Sequence, residues 1–154
     1  MHAQDRHRFR PRAKGFRLSL TIRCTLCCEY AGALGRRGGL RDFGVNLMTL
    51  PPGGWSAQRH WHSHEDEFVY LLEGELALIE DDGETVLRAG DCATFPKGTG
   101  NGHHLVNKSS AMAVYLEVGS RNPQDLTTCS DIDMMSSNAD GRFVHKDGVP
   151  YPAS

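Results

Sequence analysis

From Asp42 to Val118 the chain is cut into short apolar segments by turn-forming residues, and few folds accept such a pattern. Val45–Leu50 reads as a strand stopped by Pro51-Pro52-Gly53-Gly54. Gln58–His62 and Glu67–Leu72 alternate as strands do, the second ending at Glu73-Gly74. Glu75–Glu80 and Glu84–Arg88 form a hairpin about Asp81-Asp82-Gly83. Ala89-Gly90-Asp91 is a further turn, and Cys92–Phe95 is a strand ended by Pro96. After a loop with three glycines, Gly98, Gly100 and Gly102, the segments His104–Asn107 and Ala111–Val118 complete the set. Strands at a spacing of roughly 8–12 residues with glycine turns predict an all-β sandwich or barrel. Closing the sheet removes exposed edges.

The rest of the chain differs in texture. Residues 1–40 are basic and rich in Gly and Arg, with no convincing helical period. Arg6, Arg8, Arg10, Arg12, Lys14, Arg17 and Arg23 face only Asp5 before Glu29. A basic start followed by Leu18–Cys28 has the outline of a secretion signal, but Arg23 interrupts the apolar part and Glu29 ends it. The expectation is an N-terminal segment that is disordered or lies upstream of the true start. Residues 120–154 read as a polar C-terminal tail that clasps the barrel or a partner subunit, anchored by Phe143, Val144 and Tyr151.

A chain of 154 residues suffices for one ordinary domain. Its net charge of -2 favours neither nucleic acid nor an acidic membrane, and no stretch reaches the roughly 20 apolar residues of a membrane span. Five cysteines, Cys24, Cys27, Cys28, Cys92 and Cys129, are odd in number and irregular in spacing, so reduced thiols in a cytoplasmic protein are expected.

The chemistry concentrates in Arg59-His60-Trp61-His62-Ser63-His64-Glu65-Asp66-Glu67. On a strand, residues two apart share a face, so His60 and His62 point together and Trp61 points away. Glu67 has the wrong parity for one continuous strand and must reach the same centre across a break at Ser63–Asp66. The next strand would then carry Glu67, Val69 and Leu71 on one face. His103-His104 is a second source of imidazole. Imidazoles and a carboxylate converging on one point make a divalent-metal site. Three histidines and one carboxylate would leave an ion that prefers six ligands with positions open for a substrate.

The spacing Gly54-x5-His60-x-His62-x4-Glu67-x6-Gly74 resembles the first motif of the cupin family. Gly90-x5-Pro96-x-Gly98 and then His103-x3-Asn107 approach the second, with four residues rather than two between Gly98 and His103. The longer loop bears on the choice between His103 and His104, and the step to Asn107 favours His103. The resemblance covers roughly residues 42–119. It implies a double-stranded β-helix, a jelly-roll-like barrel with irregular N-terminal and C-terminal extensions. It also implies one divalent metal ion (Fe, Mn, Ni, Zn or Cu) on His60, His62, Glu67 and His103. The stretch further resembles small bacterial cupins loosely described as sugar-phosphate isomerases.

Three functional readings follow. The first is a metal-dependent isomerase, epimerase or lyase on a small polar, oxygenated molecule, with a metal-bound hydroxide or Glu67 available as base. The second is an Fe(II)-dependent dioxygenase. The third is a non-catalytic module that binds or senses a small molecule. The expected partners are a small-molecule ligand and a second copy in a homodimer, with no nucleic acid and no membrane. Outside this set, Trp61 is expected to pack, Tyr70 and Tyr115 to serve the core or an interface, and Glu73 to serve its turn. His64, Glu65, Asp66, Arg59 and Lys97 are expected at a solvated surface, and Asp131, Asp133 and His145 in the tail.

Overall fold

The structure, a computed structural model, describes residues 29–151. The basic opening segment and Cys24, Cys27 and Cys28 fall within residues 1–28, outside the described residues.

In chain order the elements are β1 (Glu29–Ala33), one helical turn α1 (Leu34–Arg37), β2 (Phe43–Leu50), β3 (His60–His62), β4 (Glu67–Glu73), β5 (Glu75–Glu80) and β6 (Gly83–Arg88). Then come β7 (Cys92–Phe95), β8 (His104–Val106), β9 (Ala113–Ser120), β10 (Leu126–Cys129), β11 (Met135–Ser137) and β12 (Phe143–Val144). They form three sheets: β1-β2-β9-β4-β7, β6-β5-β8 and β12-β11-β10-β3. The architecture is all-β, as the turn pattern predicts, and is the double-stranded β-helix that the family resemblance implies.

Alternation decides which residues the barrel encloses. Across β2, β9 and β4, one face stacks Met48, Tyr115 and Leu71 in one row and Asn46, Glu117 and Val69 in the next. Those rows face the core, which Leu50, Leu76, Leu78, Leu87, Phe95 and Leu105 complete. Each fully buried side chain of this size contributes about 1.5–3 kcal/mol. The opposite face carries rows Val45–Val118–Phe68 and Leu47–Leu116–Tyr70, with Tyr70 and Leu72 exposed.

Two local devices hold the ends together. Gly74 joins β4 to β5 with φ of +84°, and a Cβ there would stand 2.7 Å from the Met112 carbonyl oxygen. Asn107 is fully buried, and its Nδ2 donates to the carbonyls of Leu50 (2.7 Å) and Ala111 (2.8 Å) while Oδ1 accepts from Ser109. That amide ties the end of β8 to the end of β2.

Two segments hold order for which the sequence carries little signal. Glu29–Ala33 pairs with β2 as an edge strand whose register is interrupted between Tyr30 and Gly32. The C-terminal residues form the β10-β11-β12 ladder, and β10 lies directly beside β3. Backbone pairing places these short strands, which are too brief to show an apolar alternation. Among the described residues no helix is long and apolar enough to cross a membrane.

Candidate metal centre

β3 is only three residues long, and its two edges are held by different parts of the chain. On one side Thr127, Thr128 and Cys129 pair with His62, Trp61 and His60. On the other, His60 and His103 exchange backbone hydrogen bonds of 3.1 and 2.9 Å. The chain breaks register over residues 63–66 and re-enters as β4 at Glu67, so Glu67 points inward with Val69 and Leu71, both buried. The break thereby resolves the parity of the carboxylate.

The inward groups converge. The Nε2 atoms of His103, His62 and His60 lie 2.9, 3.5 and 3.9 Å from Glu67 Oε2. Ligand atoms of His60, His62 and Glu67 fall within 4.8 Å of one another, and His103 adjoins that group through Glu67. His60 Nδ1 donates to the Gln58 carbonyl (2.7 Å) and His62 Nδ1 to Asp125 Oδ2 (2.6 Å). With the ring proton held on Nδ1, each Nε2 presents its lone pair to the centre. The His103 ring stacks flat on Phe95, centroids 3.6 Å apart, which fixes its plane.

Protonation suits a cation. Burial drives the His60 pKa below its ordinary value, more than Glu67 can offset. Burial alone would raise Glu67, but the close His103 ring and the charges of His62, His103 and His60 bring it below the ordinary carboxylate value. Glu67 Oε2 is buried and receives no hydrogen bond of good geometry. A neutral imidazole beside an anionic, unsatisfied carboxylate oxygen is the donor state a divalent ion requires.

The other residues named from sequence lie apart from this point. His104 turns to the Ala57 carbonyl (3.1 Å) and meets Trp55 edge-on. His64 is exposed and contacts Ser63. Arg59 differs from the solvated residue expected: it is half-buried and pairs with Asp131 (2.6 Å) and Asp81, which ties the C-terminal segment to the β5–β6 turn. Asp133 pairs with His145 at 2.8 Å. Tyr115 is in the core and Tyr70 on the outer face.

Two carboxylates escape the sequence reading. Asp125 is fully buried and accepts from His62 Nδ1, the His64 amide (2.8 Å) and Ser63 Oγ (3.2 Å). Burial would raise its pKa, but those hydrogen bonds bring it below the usual value. No spacing motif marks it, because its partners stand some sixty positions away. Glu117 did carry a signal. It is the lone charge in an apolar strand and shares the parity of buried Ala113 and Tyr115.

A cavity of about 270 Å³ opens beside the centre. Ser56, His60, Glu67, His103 and Glu117 form its polar part, and Met48, Val69, Phe95 and Leu105 its apolar walls. No Lys or Arg is among the described residues that line it.

Comparison with known proteins places these features among relatives. The family described as Cupin domain matches residues 46–119. A solved sugar phosphate isomerase from a cupin superfamily, from Silicibacter pomeroyi, is 47% identical over 79% of this chain and 78% of that one, with a TM-score of 0.74. A candidate sugar phosphate isomerase from Acidithiobacillus ferrooxidans is 26% identical over 80% of each chain, with a TM-score of 0.70. No curated protein matches the chain.

Proposed function

Because this chain belongs to the cupin superfamily, we propose that it is a metal-dependent enzyme that isomerises, epimerises or cleaves a small polar, oxygenated molecule. The observation that carries this reading is the convergence of three Nε2 atoms on Glu67 Oε2 beside a cavity. His60, His62, Glu67 and His103 would hold one divalent ion. Such an ion would supply Lewis acidity toward a carbonyl or enediol oxygen. The 47% identity to a protein named a sugar phosphate isomerase supports sugar-like substrates over oxygenase chemistry.

The chain's own residues do the rest. Gln58 and Asp125 keep the protons of His60 and His62 on Nδ1. Phe95 holds the plane of His103 and, with Val69 and Leu105, gives the cavity a dry side. Glu67 would complete the ligand set as its one carboxylate.

The reading includes a homodimer. The outer face of the five-stranded sheet presents Val45, Phe68, Tyr70, Leu116 and Val118 in register, with Tyr70 and Leu72 exposed, and a second copy of the same face would cover it. Light scattering at micromolar concentration should give a dimer, and a monomer would refute it.

The first experiment is metal analysis of protein purified without added metal, beside His62→Ala. About one ion per chain in the wild type and little in the variant is expected. No ion in either protein would refute the reading.

A further inference from the structure

We propose that Glu117 is a catalytic residue of this cavity, the carboxylate that carries a proton between adjacent carbons of an α-hydroxy carbonyl substrate. The inference rests on the isomerase reading above and adds to it the group that moves the proton.

Placement carries the argument. Glu117 stands on the inner face of β9, opposite Val69 of β4, while Glu67 stands opposite Gly119. The two carboxylates are therefore diagonal neighbours on one face, their backbone positions roughly 7–8 Å apart. One belongs to the convergent imidazole set and the other does not. Both line the same cavity, so a molecule held at the first has its far side toward the second. Asn46 Nδ2 donates to Glu117 Oε1 at 3.0 Å from the adjoining strand and fixes the head group. A half-buried carboxylate beside Met48, Val69 and Leu105 is costly to desolvate, and such groups cluster at functional sites.

Burial raises Glu117 above the ordinary carboxylate value; Asn46 lowers it, Glu67 raises it, and His103 and His62 lower it.

The step balances without an oxidant. The Glu117 carboxylate takes the proton from the carbon next to the carbonyl. That C–H pair becomes the C=C bond, and the carbonyl π pair moves to oxygen, giving an enediolate. The hydroxyl proton shifts to the other oxygen, and Glu117 returns its proton to the neighbouring carbon, giving the isomeric carbonyl compound.

The test uses the metal-loaded full chain and Glu117→Gln, with two readouts. The first is deuterium incorporation from heavy water into dihydroxyacetone and glyceraldehyde. The second is calorimetry of glycolohydroxamate, an enediolate mimic that loses a proton on binding, in buffers of different ionisation heat at mildly alkaline pH. Exchange by the wild type that falls roughly a hundredfold or more in the variant, with metal content unchanged, supports the inference. Exchange within about threefold of wild type overturns it and leaves the isomerase reading in place. If the wild type exchanges neither compound, these trioses are not its substrates and calorimetry decides the role of Glu117. A proton kept on the wild type but released to buffer by the variant supports it, and equal release overturns it.

Discussion

His62 Nδ1 and Asp125 Oδ2 lie 2.6 Å apart, joining β3 to a carboxylate from the C-terminal segment. Asp125 also accepts from Ser63 and His64, so it holds the whole turn that follows β3. Its charge and geometry together set the tautomer and orientation of His62.

Asp125→Asn should weaken metal binding by roughly 10–100-fold, the range typical of groups that orient a ligand. Competition against a chelator of known affinity measures it. Affinity equal to wild type would mean that β10 alone orients His62.

His103→Ala should weaken metal binding by more than that range, and His104→Ala by far less. His103 Nε2 approaches Glu67, whereas the His104 ring turns to Ala57 and Trp55. The same titration checks the ranking, and the reverse order would contradict the proposed ligand set.

The strands around Glu67 were largely legible because alternation and turn residues are local signals. The pairing of His60 with His62 needed only the period of a strand. Asp125 and the β10-β11-β12 ladder were not legible, since Thr127 and Thr128 acquire meaning only beside β3. Glu117 was legible in principle, as a charge at the parity of Tyr115, and shows that one inward carboxylate in an apolar strand repays scrutiny.

Acid should release the metal and lower stability together. His60 lies below its ordinary value in the fold, so the unfolded chain takes up the proton first as pH falls through the histidine range. Glu67 is also depressed and stabilises the fold above its ordinary range, a contribution lost as pH falls through its folded value. Glu117, raised, acts in the opposite sense and favours the fold when protonated. Calorimetric melts with and without chelator should differ near neutrality and merge in acid. A difference that persists unchanged in acid would contradict histidine ligation.

Gly102→Ala should destabilise by about 1–3 kcal/mol and disturb the backbone just before His103. A Cβ at Gly102 would stand 1.9 Å from Ser130 Oγ and 2.9 Å from Ser130 Cβ. Adding Ser130→Gly should restore most of the loss in a denaturant titration. A single variant as stable as wild type would show that the loop yields freely.

The β3–β10 pairing also sets an order in time. Asp125 follows His62 by 63 positions, so at roughly 5–20 residues per second the ribosome delivers it about 3–13 s later. Through that interval one edge of β3 lacks its ladder and His62 lacks its partner. The nascent chain therefore carries the imidazoles of β3 before it carries the carboxylate that orients one of them.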